Sequence, residues 1–165
     1  MSDKEVDRLL FFVANRSRTS ARDALMVNLL LYTGVRVSEL AAIRLRDVDL
    51  LTSSLTVSKG KGGKAREIPL RGEVVDVVRE YLSTERKEHR NRESEYQFLT
   101  QRAGRMDRDT VNKVLSRMGR ETGLSLNPHK FRHTFCTRLV KKGVPLPTVA
   151  KLAAMLVSTL PWLSM

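Results

Sequence analysis

The chain has 165 residues, 41% of them hydrophobic, which suits one domain with a substantial core. Its 30 Lys and Arg residues outnumber 18 Asp and Glu residues, and the net charge of +12 favours a polyanionic partner: nucleic acid first, an anionic membrane surface second. The longest apolar run, residues 24–32, includes Asn28 and is too short to span a bilayer. The acidic first residues are unlike a signal peptide. Because nucleic acid is the preferred partner, no membrane partner is expected.

The cysteine and histidine content bears on disulfide bonds, cellular compartment and metal binding. The single cysteine, Cys136, excludes a disulfide within the chain and fits a reducing cytoplasm. Its position within a predicted helix indicates a small buried side chain. The three histidines and the cysteine lack the spacing of metal ligands, so we expect neither a metal nor another cofactor.

The first part of the chain is predicted to form three helices. Ser2 starts a capping box that opens a helix to about residue 15. Ser20 caps a second helix, whose long apolar run indicates burial on most sides, and Gly34 ends it. Residues 37–45 are predicted to form a third, short helix.

A β-hairpin is predicted next. Residues 54–59 and 66–70 alternate polar and apolar side chains on either side of the glycine-rich run GKGGK at residues 60–64. This pattern is typical of two strands joined by a turn, with lysines at its tip.

The segment between the hairpin and residue 120 is predicted to be mostly helical. Residues 73–83 have the apolar spacing of an amphipathic helix, and a second helix capped by Asp107 or Asp109 runs to Met118. The mixed charges of residues 86–95 indicate a solvated helix end and loop. Residues 96–99 are predicted to form a short strand.

A helix near the end of the chain carries the densest chemical signal. Asn127 is a good N-cap and Pro128 suits the first helical position, so residues 128–142 are predicted to be helical. Phe131 and Phe135 lie on its core-facing row. A last helix begins at residues 146–152, and the whole is predicted to be mainly α with a small antiparallel β-sheet.

Three segments place a cation or a proton carrier at a turn or a helix start. Arg36 begins a helix with Glu39 one turn on, where the carboxylate either holds the guanidinium or forms an ordinary surface pair. Lys61 at the hairpin tip either takes part in chemistry or only contacts phosphates. His129 and Arg132 share a helix face near an N-terminus, which suits a phosphate; the alternative is a basic helix with a partly buried histidine.

These residue types form a set that phosphodiester transfer can use. Arg36 and Arg132 can neutralise the non-bridging oxygens as charge grows in the transition state. His129 and Lys61 can move the protons of the attacking and leaving groups. We therefore expect all four side chains to converge on one basic cleft around a single phosphate.

The order of the motifs resembles the tyrosine recombinase (phage integrase) family. The resemblance rests on the runs TGVRVSEL at residues 33–40, GKGGKAR with IPL at 60–70, and HKFRH at 129–133. It covers roughly residues 2–152 and implies the catalytic-domain fold of these DNA breaking–rejoining enzymes. We therefore interpret residues 1–153 as this domain and residues 154–165 as an aberrant tail.

The resemblance also implies roles for individual residues. Arg36 and Arg132 would clamp the scissile phosphate, Lys61 would protonate the leaving 5′ oxygen, and His129 would assist proton transfer from the nucleophile. Glu39 would support Arg36, and His133 would be structural or auxiliary. Residues expected to contact DNA are Lys59, Lys64, Arg66 and Lys130.

Two departures from the family pattern affect the expected activity. The separate N-terminal DNA-clamping domain of the family is not expected here, because residue 2 already begins the catalytic domain. After residue 153 the family pattern continues with Gly-His, a Thr-Thr pair and the nucleophilic tyrosine, where this chain reads AMLVSTLPWLSM. Its tyrosines, Tyr32, Tyr81 and Tyr96, are interpreted as core residues, so none is assigned as the nucleophile.

A shifted reading frame would account for the tail. The codons GCG GCC ATG CTA GTA TCG ACA CTA are one possible encoding of residues 153–160, and CC can open the next codon. Read from the third base, the same DNA encodes Gly-His-Ala-Ser-Ile-Asp-Thr-Thr, which is the segment that the family pattern requires.

The leading hypothesis is therefore an inactive fragment of a site-specific recombinase that works through a 3′-phosphotyrosine intermediate. The alternatives are a non-catalytic DNA-binding module of the same fold and a type IB topoisomerase-like enzyme. The expected partner is double-stranded DNA, with a recombinase tetramer in the full-length family and a monomer or non-native oligomer here. The resemblance implies action on the cytoplasmic nucleoid, with a prokaryotic, phage or mobile-element origin.

Overall fold

The computed structural model of the chain describes residues 1–58 and 65–152. It is mainly helical, with a three-stranded antiparallel sheet in the order β1-β2-β3, as the sequence predicts. The strands are β1 (Val48–Asp49), β2 (Ser54–Val57) and β3 (Arg66–Pro69). The helices are α1 (Asp3–Ala14), α2 (Ala21–Thr33), α3 (Val37–Ala41), α4 (Gly72–Ser83), α5 (Glu85–Glu88), α6 (Arg108–Thr122), α7 (Pro128–Lys141) and α8 (Leu146–Leu152), with a 3₁₀ turn at Leu45–Asp47.

Helix α2 is the centre of the fold. It packs against α1, α4 and α7, and most of its side chains are buried, as its apolar run predicts. Ser20 caps its start by accepting a hydrogen bond from the Asp23 N–H at 3.1 Å. Gly34 ends it in the left-handed conformation, with φ of 67°. The predicted bounds of this helix are confirmed.

The other predicted caps are confirmed as well. In the capping box of α1, the Ser2 hydroxyl accepts from the Glu5 N–H and the Glu5 carboxylate accepts from the Ser2 N–H. Asp107 caps α6 through the Thr110 N–H, and α6 runs beyond Met118 to Thr122. Because caps act within a few residues, they can be identified from sequence alone.

The two predicted hairpin strands pair in antiparallel register. Leu55 lies opposite Ile68, and both side chains are buried in the main core together with Val57. Strand β1, which the sequence reading missed, pairs with β2 through Val48 and Leu55. The turn at residues 59–64 lies outside the described residues.

Two predictions between residues 37 and 99 are wrong. The third helix ends at Ala41 rather than residue 45, because the chain then pairs with a distant segment. The Ile43 carbonyl accepts from the Gln97 N–H, and the Leu45 N–H donates to the Glu95 carbonyl, each at 2.8 Å. Residues 96–99 form no regular strand and contribute only an isolated bridge to Arg44.

The mixed-charge run at 86–95 contains a buried arginine and is not simply solvated. Arg86 is 6% exposed. Its guanidinium donates to the Arg92 carbonyl at 3.0 Å, the Ser94 carbonyl at 2.6 Å and the Tyr96 carbonyl at 2.8 Å. One side chain therefore holds the whole loop in place.

Helix α7 joins the main core to a smaller one. Phe131 is fully buried in the main core, whereas Phe135 and Cys136 pack with Val149 of α8. Asn127 caps α7 by accepting from the Lys130 N–H at 3.0 Å. Within residues 1–58 and 65–152, no helix combines the length and hydropathy needed to cross a bilayer. The tail at 154–165 lies outside these ranges.

Candidate active site

Arg36 is placed by the sharp reversal between α2 and α3. Gly34 provides the left-handed residue of this reversal, and Arg36 is the N-cap of α3. The Arg36 N–H donates to Oε2 of Glu39 at 3.1 Å, so the Glu39 carboxylate caps the first turn of α3. The Arg36 side chain is half-buried, and the Glu39 carboxylate fixes the backbone to which it is attached.

Glu39 also binds the side chain of Arg66 on β3. Nη2 of Arg66 donates to Oε2 at 2.7 Å, and Nη1 donates to Oε1 at 3.3 Å. The Arg66 and Glu39 side chains are 16% and 10% exposed. A partly buried pair with two parallel hydrogen bonds is among the stronger ionic contacts in proteins. It connects the sheet to the start of α3.

Arg132 approaches the same group from α7 and is 5% exposed. Burial, and next the positive charge of Arg36, lower the pKa of Arg132 to about 10. The Glu39 carboxylate opposes this shift, and Arg66 adds to it. Arg132 is therefore within electrostatic range of the other three side chains. The described residues thus include four charged side chains close enough to affect one another, which we call the arginine cluster: Arg36, Arg66, Arg132 and Glu39.

The two candidate histidines lie on α7, the helix that carries Arg132. His129 is in its first turn and His133 one turn later, and both side chains are exposed. Lys130 is half-buried in the same turn. An exposed imidazole one helical turn from Arg132 can reach a ligand that the guanidinium holds. Lys59, Lys61 and Lys64 lie outside the described residues.

The three tyrosines contact residues outside the arginine cluster. Tyr81 is buried, and its hydroxyl accepts from the Leu99 N–H at 3.4 Å. Tyr32 and Tyr96 are half-buried rather than core residues, which corrects the sequence interpretation. Their rings stack with guanidiniums: Arg71 and Arg138 lie 4.9 and 5.9 Å from the Tyr32 centroid, and Arg44 and Arg105 lie 5.6 and 4.6 Å from that of Tyr96.

The arginine cluster is suited to an anion. Three guanidiniums and one carboxylate leave a positive site, and the burial of Arg132 excludes competing water around its charge. Among the described residues, no group of three or more His, Cys, Asp or Glu side chains could hold a metal ion. The sequence reading identified each arginine but not the Arg66–Glu39 pair. No sequence signal marks this pair, because its members are 27 residues apart.

Comparison with known proteins assigns the chain to a family. Residues 1–154 match the sequence model of the Phage integrase family. Tyrosine recombinase XerA of Thermococcus kodakarensis is 37% identical over 155 residues, covering 92% of this chain and 52% of XerA. TnP I resolvase of Bacillus thuringiensis is 32% identical over 149 residues, covering 90% of this chain and 51% of the resolvase. The chain belongs to the phage integrase family.

Solved structures of integrase-family proteins show the same fold. A crystal structure of XerA recombinase superposes with a TM-score of 0.84 and 30% identity, covering 94% of this chain and 55% of XerA. The XerH recombinase in a pre-cleavage complex with its difH substrate gives a TM-score of 0.76 at 24% identity, covering 93% of this chain and 46% of XerH. The catalytic-domain fold implied by the motifs is confirmed. The present chain spans about half the length of the curated relatives that it matches.

Proposed function

We propose that this chain is the DNA-binding catalytic core of a site-specific recombinase in which Arg36 and Arg132 hold the scissile phosphate. The observation that carries the proposal is that buried Arg132 on α7 lies close enough to Arg36 and Glu39 for their charges to shift its pKa, while the Glu39 carboxylate accepts a hydrogen bond from the Arg36 backbone N–H. Two guanidiniums from separate elements can each take a non-bridging oxygen of one phosphate. The net charge of +12 supplies the general attraction to duplex DNA.

The electrostatics of Arg132 suit transition-state stabilisation. Its pKa of about 10 lies well above neutral pH, so the buried guanidinium is charged when DNA arrives. A buried charge interacts more strongly with a phosphate than an exposed one, and the pentavalent transition state carries more negative charge than the ground state. Arg36 and Arg132 would therefore bind the transition state more tightly than the substrate, which is what accelerates cleavage.

The proton transfers are assigned to two further residues. In this proposal His129 accepts the proton of the attacking tyrosine hydroxyl, and Lys61 donates a proton to the 5′ oxygen as the P–O bond breaks. The product is a 3′-phosphotyrosine linkage, and attack by a 5′ hydroxyl on this linkage rejoins the strand. His133 and Lys130 would contact the flanking backbone, as would Lys59 and Lys64.

The nucleophile is the part that this chain does not supply. The chain contains three tyrosines, Tyr32, Tyr81 and Tyr96, and each contacts groups outside the arginine cluster. The 165-residue chain is therefore proposed to bind DNA, as a monomer or a non-native oligomer, without forming a covalent adduct. Full-length relatives would act as tetramers on paired DNA sites in the prokaryotic cytoplasm.

A nicked suicide duplex tests the proposal, because cleavage of such a substrate traps the covalent intermediate. The substrate is incubated with the chain as given and with a chimera whose residues after Ala153 are replaced by the corresponding segment of Thermococcus kodakarensis XerA. The duplex carries the site of that relative. We expect an adduct from the chimera, its loss in the Arg36→Gln and Arg132→Gln chimeras, and its retention in Arg79→Gln, which changes an exposed arginine of α4.

Other results would favour the alternatives. A folded chimera that binds DNA with a steep salt dependence but forms no adduct would indicate a non-catalytic DNA-binding module. Relaxation of supercoiled plasmid without exchange between two sites would indicate a type IB topoisomerase-like activity. Adduct formation by the 165-residue chain itself would show that one of its own tyrosines is the nucleophile.

A further inference from the structure

We propose that Arg44 and Arg105, both held over the ring of Tyr96, form a further phosphate-binding patch for the DNA backbone beside the candidate active site. We call these three residues the Tyr96 patch. The two guanidiniums would contact backbone phosphates, and Tyr96 would be a positioning residue that orders them. This inference rests on the proposed function, because it adds a contact to the same duplex, but it requires no particular geometry within the arginine cluster.

The Tyr96 patch lies where two distant segments of the chain are joined. Arg44 and Tyr96 form an isolated antiparallel bridge, flanked by two backbone hydrogen bonds of 2.8 Å. The loop that carries Arg105 is held to the same segment by the Met106 N–H, which donates to the Phe98 carbonyl at 3.0 Å. Hydrogen bonds therefore fix the backbone that supports all three side chains of the patch.

Both guanidiniums of the patch contact the tyrosine ring. Cζ of Arg105 lies 4.6 Å from the Tyr96 ring centroid and Cζ of Arg44 lies 5.6 Å from it, which is within the range of cation–π contacts. Nη1 of Arg105 also donates to the Tyr96 hydroxyl at 3.3 Å. Because the Tyr96 ring is half-buried, it offers a fixed surface on which two otherwise flexible side chains are ordered before DNA arrives.

The ordered guanidiniums retain donors for a phosphate. Arg105 is exposed, and within residues 1–58 and 65–152 its Nε and Nη2 atoms have no hydrogen-bond or ion-pair partner. The Arg44 side chain is 32% exposed, and its Nη1 lies 3.5 Å from Oε2 of the exposed Glu95. Such a solvent-exposed ion pair is weak, so a phosphate can replace the carboxylate. A planar guanidinium with free N–H groups is well suited to phosphate oxygens.

The Tyr96 patch lies within reach of a duplex bound at the arginine cluster. Arg36 is the N-cap of α3, and Arg44 follows the end of this five-residue helix. Helical residues advance about 1.5 Å each and extended ones at most about 3.6 Å, so the two Cα atoms are at most about 18 Å apart. This corresponds to about six base-pair steps of duplex DNA. Helix α3 also packs against α6, which begins three residues after Arg105.

The salt dependence of duplex binding separates contact from positioning. The dissociation constant for one duplex of fixed length is measured by fluorescence anisotropy over a series of salt concentrations. The proteins are the wild-type chain and the variants Arg44→Gln, Arg105→Gln, Tyr96→Leu and Tyr96→Phe. Arg79→Gln is the matched control for the loss of an exposed arginine on α4. Thermal unfolding establishes that each variant is folded.

We expect Arg44→Gln and Arg105→Gln each to lower the slope of log affinity against log salt by about 1, the change for one lost phosphate contact. Tyr96→Leu should weaken binding roughly threefold to tenfold at fixed salt with little change in slope, because both charges remain while their order is lost. Tyr96→Phe keeps the ring and should recover most of the affinity that Tyr96→Leu loses. Arg79→Gln should leave the slope unchanged.

Two results would overturn the inference. Wild-type slopes in both Arg44→Gln and Arg105→Gln would show that the patch does not contact phosphates. Wild-type affinity in Tyr96→Leu would show that the ring does not position the guanidiniums. If Tyr96→Leu does not fold, the two arginine variants still decide whether the patch binds DNA. Lowered slopes in these variants, combined with wild-type slopes in Arg36→Gln and Arg132→Gln, would instead refute the proposed function and leave the patch standing.

Discussion

The backbone of Gly34, just before Arg36, is in direct contact with the ring of Phe135, which lies on the same helix as Arg132. A Cβ atom on Gly34 would lie 2.3 Å from Cδ1 of Phe135, and Gly34 itself has φ of 67°. Gly34 ends the helix that leads to Arg36, and Phe135 lies one turn beyond Arg132. The close approach of backbone to ring thus sets the distance between the two arginines proposed to share a phosphate.

Replacing Gly34 with alanine should therefore destabilise the fold and weaken phosphate binding together. We expect a loss of roughly 2–4 kcal/mol in the free energy of unfolding, from left-handed strain and from the clash with Phe135. Urea unfolding measures this loss. Gly143→Ala is the matched control, because Gly143 also has a positive φ of 83° but nothing within 4 Å of its Cβ position. It should lose only about 1–2 kcal/mol.

The buried charge of Arg132 is predicted to lower the free energy of unfolding. Its pKa is lowered to about 10, first by burial and next by Arg36, so the folded chain disfavours the charge that it carries at neutral pH. Arg132→Met should raise the free energy of unfolding, by roughly 1–3 kcal/mol, while abolishing phosphate binding. A destabilised Arg132→Met variant, measured by urea unfolding, would show that contacts of the guanidinium outweigh its burial.

The same shift predicts how this stability difference depends on pH. Since the folded pKa is depressed, the folded chain binds fewer protons than the unfolded chain only in a window that begins near pH 10. Below that window both states carry the charge, and the cost is constant. The difference in unfolding free energy between Arg132→Met and wild type should therefore be flat from about pH 6 to 9. A strong slope in that range would indicate coupling to another group.

Arg86 should be among the residues most important for stability outside the candidate site. Arg86→Met leaves the three carbonyl oxygens of Arg92, Ser94 and Tyr96 without their buried donor, which should cost roughly 2–4 kcal/mol. Urea unfolding measures the loss, and hydrogen exchange should show opening of this loop. The exposed neighbour Arg90 provides the control, with Arg90→Met expected within about 0.5 kcal/mol of wild type.

The salt dependence of duplex DNA binding should show whether Arg36 and Arg132 contact phosphates. We expect the chain to bind weakly, with an affinity that falls steeply as salt increases. Arg36→Gln and Arg132→Gln should each reduce the slope of log affinity against log salt by about 1, the change for one lost phosphate contact. Arg79→Gln should leave the slope unchanged. An unchanged slope in both cluster variants would place DNA elsewhere on the surface.

Features decided within one turn of chain could be predicted from the sequence. Ser2, Ser20 and Asn127 cap helices where their side chains predict, and Gly34 ends α2, because a cap needs only its own few residues. The order of the basic motifs was sufficient for the family and the fold. Arg36 and Arg132 could be named as candidates for the same reason.

Features decided by distant partners could not be predicted. The helix starting at Val37 stops at Ala41 because Ile43 pairs with Gln97, and periodicity contains no trace of that pairing. Arg86 belongs to a mixed-charge run whose composition predicts exposure to solvent. Its guanidinium is nevertheless buried and donates to carbonyl oxygens up to ten residues away. Likewise, the sequence groups Arg66 with the DNA-contacting lysines, because nothing in it identifies Glu39 as the partner of Arg66.

The central claim is that Arg36 and Arg132 bind one phosphate. A crystal structure of the chain bound to a short duplex tests it most directly. We predict that two non-bridging oxygens of a single backbone phosphate accept hydrogen bonds from the two guanidiniums, at about 2.7–2.9 Å. Guanidiniums on two different phosphates, or a duplex bound to another face without contacting the arginine cluster, would contradict it.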